Sequence, residues 1–360
     1  MHKKRVINKQ EPKPLKLAQK ENLLMNSFPT QGVVPRNGGF RMENSWVWCG
    51  SAVEEVDKGF HLYASRWRKD YPFFQGYLFF SEIVHAFSKN PEGPYTYVEK
   101  LLPCMPESNW DGKIAHNPTV VKWKDKYLLY YIGSTYTGEP TPADKCVEDE
   151  KMSYAIWKRL CIGLAIADSP GGPWRVLPHP VLEPRKDNWD YVLVTNPAPC
   201  VLPDGTIYLY YRTNYPSQSG NSMQSVIGLA IADRPEGPYR RFDGPAWDHS
   251  NIEDPFVWHD GKEFNMIAKD KTAKLTGQLF SGAYLKSTDG RNWRCLGQAY
   301  SRNITYDDGE KVTLGALERP QLLFDRKGNP RMLFAAAGEG PEGCRNSINT
   351  WNCAIPLVQK

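Results

Sequence analysis

The chain has 360 residues, 41% hydrophobic and 12% aromatic, with a formal net charge of +5. That length suits one large closed domain or two smaller ones. The charge is mild and its one basic run is Lys3-Lys4-Arg5, so neither nucleic acid nor membrane is an expected partner, and no apolar stretch approaches the length of a membrane span.

Residues 1–30 read as an N-terminal tail with a weak helical stretch between Leu15 and Met25. The tail is basic but lacks the apolar core of a secretory signal. As written the chain is expected in the cytoplasm, or in the periplasm or outside the cell if a signal has been trimmed away. From residue 31 onward the pattern changes to short strands rich in aromatic and β-branched residues.

Four times a polar dipeptide followed by proline launches an apolar strand: His116-Asn117-Pro118, Thr195-Asn196-Pro197, Glu253-Asp254-Pro255 and Glu318-Arg319-Pro320. An earlier copy, Glu43-Asn44-Ser45-Trp46, is read as a first repeat that lacks the proline. Behind each start comes a hairpin turn, such as Pro203-Asp204-Gly205 or His259-Asp260-Gly261, and an aromatic-rich second strand. A third strand follows. It reads GLAIAD at 163–168 and again at 228–233, each time closed by a Gly-Pro-aromatic turn. Weaker echoes begin at Val84 and Gly282. Spacings of roughly 60–80 residues between starts match repeated multi-strand sheets. The expected fold is therefore all-β, a five-bladed β-propeller over residues 31–360 with a short N-terminal extension. The fifth unit is short, so the segment after Gly338 or the N-terminal stretch must complete it.

Trp110-Asp111, Trp189-Asp190 and Trp247-Asp248 precede three of the strand starts at one fixed interval. Their plain reading is structural: Trp fills the space between blades and Asp bonds a neighbouring amide. Asp111 stays a minor candidate for chemistry. The eight cysteines show neither a C-x-x-C pair nor zinc-ligand spacing, nor is there an EF-hand loop, so no metal ligand is assigned. Buried free thiols are expected, with a Cys344–Cys353 disulfide as the alternative.

Inner strands of a propeller start around one axial mouth. Aligning the repeats gives two columns that converge there: Glu43, His116, Thr195, Glu253 and Glu318, then Asn44, Asn117, Asn196, Asp254 and Arg319. Repeated asparagine fits turn chemistry, whereas variation into Glu, His, Asp and Arg is what a site with distinct roles needs. Several carboxylates at one mouth suit glycoside cleavage, in which one carboxyl protonates the leaving oxygen and another group works from the far side. A third acid raises the donor's pKa by repulsion. Trp46, Trp48, Trp67, Tyr136 and Tyr215 are candidates to stack on sugar rings. Arg66, Arg212, Lys269 and Glu339, at the ends of second strands, are candidates to bind substrate hydroxyls or an anionic sugar, with surface solvation as the alternative. Glu82 and His85 are weaker candidates.

On the N/D-P strand starts, the GLAIAD…GPW/GPY strand and the E-x-P of the last repeat, residues 40–340 resemble the five-bladed propeller glycosidases. These are glycoside hydrolase families 43, 32, 68 and 117, with the family 130 phosphorylases as more distant relatives. The resemblance implies that Glu318 is the general acid and Asp254 the acid that tunes it. It places the base two blades before Asp254, where this chain has Asn117, which cannot accept a proton. Glu43 is the expected substitute, and His116 its rival, since family 117 uses a histidine as acid. Substrate contacts are expected from Asn117, Asn196, Glu253, Arg319, Arg66, Arg212, Lys269 and Trp48. The resemblance implies an exo-acting, inverting hydrolase of a poly- or oligosaccharide, and some relatives hold calcium or another ion near the axis. A glycoside phosphorylase and a non-catalytic carbohydrate-binding propeller are the alternatives, and homo-oligomerisation is left open.

Overall fold

In the computed structural model each proline-marked start opens a four-stranded antiparallel sheet. The described residues are 27–360 apart from 143, 146–147 and 217–222. The helical stretch expected between Leu15 and Met25 lies outside them. Blade 1 comprises Ser45–Glu55, Gly59–Arg68, Glu82–Ser88 and Thr96–Leu102. Blade 2 comprises Ile114–Trp123, Lys126–Ser134, Cys161–Ala167 and Arg175–Val176. Blade 3 comprises Thr195–Val201, Ile207–Pro216, Met223–Ala232 and Arg240–Arg241. Blade 4 comprises Ile252–His259, Phe264–Asp270, Gly282–Ser287 and Arg294–Tyr300.

Blade 5 takes Ala316–Phe324, Pro330–Glu339 and Asn349–Val358 from the C-terminal end and Thr30–Gln31 from the N-terminal end. Thr30 pairs with Val358 and Gln31 with Leu357. Both candidate segments thus complete the fifth blade, and the first and last strands of the ring are hydrogen-bonded together. This pairing ties the two ends of the chain into one blade and so locks the ring shut, leaving only short blade edges. The fold is a five-bladed β-propeller.

Hydrophobic burial sits between blades. Leu128, Tyr130, Ile162 and Leu164 of blade 2 pack on Val194, Leu209 and Tyr211 of blade 3. Blades 3 and 4 meet through Ile227, Leu229, Ile252 and Met266, and blades 4 and 5 through Ile267, Tyr284, Leu317 and Leu333. Blades 5 and 1 share Phe334, Met332, Val47 and Leu62, while blades 1 and 2 share Tyr63, Ile83, Leu129 and Tyr131. Period-2 alternation explains these sets, since successive strand residues face opposite neighbours.

The repeated GLAIAD strands owe their glycine to aromatic crowding. A Cβ on Gly163 would lie 2.5 Å from the Tyr131 ring, and one on Gly228 2.4 Å from that of Tyr211. Trp110 stacks on Tyr131 and Trp189 on Tyr211. Asp111 and Asp190 accept hydrogen bonds from those tyrosine hydroxyls at 2.6 and 2.8 Å rather than from backbone amides. Asp111 is therefore committed to the wall between blades. All seven described cysteines are free, so Cys344 and Cys353 form no disulfide; Cys146 lies outside the described residues. Cys344 begins a turn while Cys353 stands four residues into the strand Asn349–Val358, about 13 Å along it at strand rise.

Among the described residues two α-helices are inserted between second and third strands: α1, Phe73–Phe80, in blade 1 and α2, Glu150–Trp157, in blade 2. Among the described residues no helix is long and apolar enough to cross a membrane.

Candidate active site

Every inner strand carries the same irregularity. Pairing with the second strand breaks between Trp48 and Ser51, His116 and Thr119, Thr195 and Ala198, Glu253 and Phe256, and Glu318 and Gln321. At each break one residue adopts a left-handed backbone: Cys49 at φ 60°, Asn117 at 54°, Asn196 at 53°, Asp254 at 59° and Arg319 at 55°. A bulge of this kind re-aims a side chain, here toward the axis. Asn and Asp tolerate the conformation best, whereas cysteine and arginine have no such excuse. Their use there marks a position held for its side chain.

This corrects the register of the first repeat. Its column residues are Trp48 and Cys49, five positions beyond Glu43 and Asn44. The proline is replaced by Gly50, where a Cβ would fall 2.2 Å from Asn352 Nδ2, and that amide donates to the Cys49 carbonyl at 2.7 Å. A glycine after the bulged residue was the signal available in the sequence. Glu43 is instead exposed, beside an open groove of about 540 Å³ lined by Met42, Arg66 and Tyr97. Arg66 is also on that flank, paired with Glu82 at 3.2 Å and 5.0 Å from the Tyr97 ring centre.

The second column closes into a ring. Cys49 Sγ donates to Asn117 Oδ1 at 2.6 Å, Asn117 Nδ2 to Asn196 Oδ1 at 2.8 Å, and Asn196 Nδ2 to Asp254 Oδ1 at 2.6 Å. Arg319 Nη1 lies 3.5 Å from Asp254 Oδ1. Donors run one way around the axis and end on a carboxylate, which fixes both amides. Burial pushes the Cys49 thiol up to about 12, so it keeps the proton it donates.

Beside the ring lies a charged cluster from blades 3, 4 and 5. Lys269, 3% exposed, donates to Glu318 Oε2 at 2.6 Å, sits 3.7 Å from Asp254 Oδ2 and pairs with Glu253. Glu253 also meets Lys271 at 3.1 Å and Arg212 at 3.4 Å. The two glutamates therefore differ. Burial would raise Glu253, but Lys269, Arg212 and Lys271 outweigh it and hold the carboxylate well below the usual range. Burial, with Asp254 and Glu253 nearby, leaves Glu318 above the usual range despite Lys269. Environments that drive a pair of carboxyls in opposite directions distinguish an acid from an ionised partner.

Carboxylate oxygens of Glu253, Asp254 and Glu318 all lie within 4.8 Å of one another. The position between them is taken by the Lys269 ammonium. The axial ring offers one carboxylate, Asp254, beside a thiol, two engaged amides and a guanidinium, whereas calcium takes six to eight oxygens. These residues do not fit a calcium ion at the axis.

His116, 4% exposed, is the column residue of blade 2. Ser81 Oγ donates to Ala115 O at 3.0 Å and lies 2.7 Å from His116 Nδ1. The hydroxyl has one proton, which goes to the carbonyl, so His116 Nδ1 is the donor to Ser81. Nε2 then carries a lone pair, and it has no hydrogen-bond partner among the described residues. Burial and the Arg319 charge push His116 down to about 3, which keeps it neutral.

Of the remaining sequence candidates, Trp48 packs edge-on to Phe73, and Trp67 contacts both Phe73 and His116. Trp46 donates to Tyr71 O at 2.8 Å. Tyr136 packs on Phe79 and Tyr215 on Trp189, both as wall residues. Glu339 is exposed and accepts from Asn349. His85 is buried against His61 at 2.9 Å, on strands of blade 1 away from the ring. Sequence reasoning missed Cys49, Lys271 and Ser81. Lys271 carried one signal, following Lys269 by two positions and so sharing its side of the strand end.

No family model matches the chain. A curated protein that is 28% identical over 259 residues is an extracellular endo-α-(1→5)-L-arabinanase of Thermotoga petrophila, with 65% of this chain and 47% of that protein covered. The chain thus spans about half the length of that relative. Among solved structures, a family 117 glycoside hydrolase of Zobellia galactanivorans superposes with a TM-score of 0.62 at 17% identity, covering 91% of this chain and 88% of its own. An endo-arabinase of Bacteroides thetaiotaomicron gives 0.54 at 12% identity, covering 93% and 99%. The chain is similar in fold to these carbohydrate-acting propellers.

Proposed function

We propose that this propeller hydrolyses a glycosidic bond in a polysaccharide of the arabinan type, with Glu318 as general acid. The observation that carries the reading is the contrast between Glu318 and Glu253 at the axial mouth: burial and acidic neighbours raise the first above the usual carboxyl range, while Lys269, Arg212 and Lys271 hold the second well below it. Glu318 stands at the E-x-P start of the last blade and Asp254, which raises it, at the start of the blade before. The separation of Glu253 and Glu318 is short, as in retaining enzymes. Yet Lys269 fills the gap and three cations occupy Glu253, so Glu253 is not the nucleophile. His116 Nε2 is the better base. Held neutral with a value of about 3, it is comparable in basicity to the carboxylates that usually activate water, near 4. On this reading, water activated by His116 attacks the face of the sugar opposite Glu318 and inverts the anomeric centre. Exo action is part of this reading and requires a single sugar unit as the first product released from linear arabinan.

The test is hydrolysis of linear arabinan and para-nitrophenyl α-L-arabinofuranoside by the parent, Glu318→Gln, His116→Gln and Glu43→Gln. Loss of turnover in the first two and retention in the third supports the assignment. Loss in Glu43→Gln with activity kept in His116→Gln moves the base to Glu43, and full activity in Glu318→Gln refutes the reading. Proton NMR of the first product anomer decides inversion. A second reading, a glycoside phosphorylase, draws on Arg319, whose guanidinium is buried with none of its nitrogens donating a hydrogen bond. Dependence of turnover on inorganic phosphate would favour it.

A further inference from the structure

The helix α1 reads FFQGYLFF, apolar on every side, and such a helix must be covered on several faces. Phe73 packs on Trp46, Trp48 and Trp67, and Phe79 on Tyr136. Tyr77 takes the remaining side. Its ring stacks on the His116 imidazole with centroids 4.8 Å apart and planes 29° apart. Ser81, one residue past the helix, holds His116 Nδ1 at 2.7 Å. One insertion therefore sets both the plane and the tautomer of the imidazole.

The Tyr77 hydroxyl has no hydrogen-bond partner among the described residues, and the side chain is only partly buried, so the hydroxyl stays accessible from the mouth. Its ring packs against the cluster that holds Trp48 and Cys49, the column residues of blade 1, and Arg212 and Glu253 of the charged cluster act on its hydroxyl electrostatically. A donor and acceptor at the mouth, unspent by the protein, is what a sugar hydroxyl requires. We propose that Tyr77 is a functional residue of the site: its ring positions His116, and its hydroxyl binds a hydroxyl of the glycan. The inference rests on the glycosidase reading and extends it to a residue outside both columns.

The experiment compares Tyr77→Phe and Tyr77→Leu with Glu318→Gln, using arabinotriose hydrolysis and an NMR titration of the His116 ring. Losing the hydroxyl in Tyr77→Phe is expected to raise KM about 10-fold, the weight of one hydrogen bond, with kcat within about twofold. Losing the ring in Tyr77→Leu is expected to lower kcat at least about 10-fold and let water reach the imidazole. Its titration midpoint then rises above about 5, while the parent shows no transition there. Parental KM, kcat and His116 titration in both Tyr77 variants, with Glu318→Gln inactive, overturn the inference alone. Activity in Glu318→Gln overturns the glycosidase reading and the substrate contact with it. If Tyr77→Leu does not fold, Tyr77→Phe, one oxygen smaller, decides the matter by its KM.

Discussion

Replacing Lys269 with methionine removes the ammonium shared by Glu253, Asp254 and Glu318 while keeping most of the side-chain volume. At an effective dielectric of about 20, a unit charge at 2.6 Å from Glu318 and 3.7 Å from Asp254 interacts with them by about 6 and 4 kcal/mol. Much of that is spent on keeping all the ions out of water, and breaking one partner from a buried set costs about 3–5 kcal/mol net. With an unfolding entropy of about 2.1 cal/mol/K per residue, 360 residues give about 0.75 kcal/mol/K, so Tm falls by about 4–7 °C. The sign with pH follows from the carboxyls. Burial and acidic neighbours already hold Glu318 above the usual range, and without the cation nothing offsets them, so the native state binds a proton there that the unfolded state gives up. The deficit is then largest at neutral pH and shrinks as pH falls toward about 4.5. Calorimetry of parent and Lys269→Met at pH 5 and pH 8 measures it. An equal deficit at both, or none, would show that Lys269 does not neutralise the cluster.

Acid sensitivity is a second expected outcome. Burial lowers His85 to about 4 and His116 to about 3, against about 6.5 unfolded. A folded value below the unfolded one means that the unfolded state takes up protons first. The stability these neutral rings provide is complete above about pH 6.5 and is lost as pH falls from there to about 4 for His85 and about 3 for His116. His85→Gln should flatten the Tm–pH slope between 6.5 and 4, and an unchanged slope counts against it. Gly228→Ala puts a Cβ 2.4 Å from the Tyr211 ring, and overpacking of this kind costs about 1–3 kcal/mol; a parental denaturation midpoint would contradict the packing. Asp190→Asn strips Arg241 and Arg185, at 2.7 and 2.9 Å, of their buried carboxylate. A loss of about 3–5 kcal/mol is expected in urea unfolding, and a loss below about 1 kcal/mol would mean that water already screens the pair.

Much of the blade pattern was legible because it is local. Proline after a polar residue, Asp-Gly turns and the doubled GLAIAD strand each act within a few residues. The columns of blades 2 to 5 followed from them, and with them Asn117, Asn196, Asp254, Glu318 and Arg319. Blade 1 was misread because its bulge is marked by Gly50, and only Asn352, from a strand about 300 positions away, shows why glycine stands there. Tyr77 was invisible for a related reason: an apolar octapeptide reads as core wherever it packs.

Neighbours along the chain set bulge, turn and alternation, so the residue order alone marks a repeated all-β chain and the polar residues that open its strands. What those residues do to one another depends on closure of the ring. Closure joins Thr30–Gln31 to Asn349–Val358. It carries Lys269 of blade 4 to Glu318 of blade 5 and lays Tyr77 of blade 1 on His116 of blade 2. The resulting charges and proton positions come from burial and from partners 15 to 203 positions away in the sequence, which no local pattern encodes.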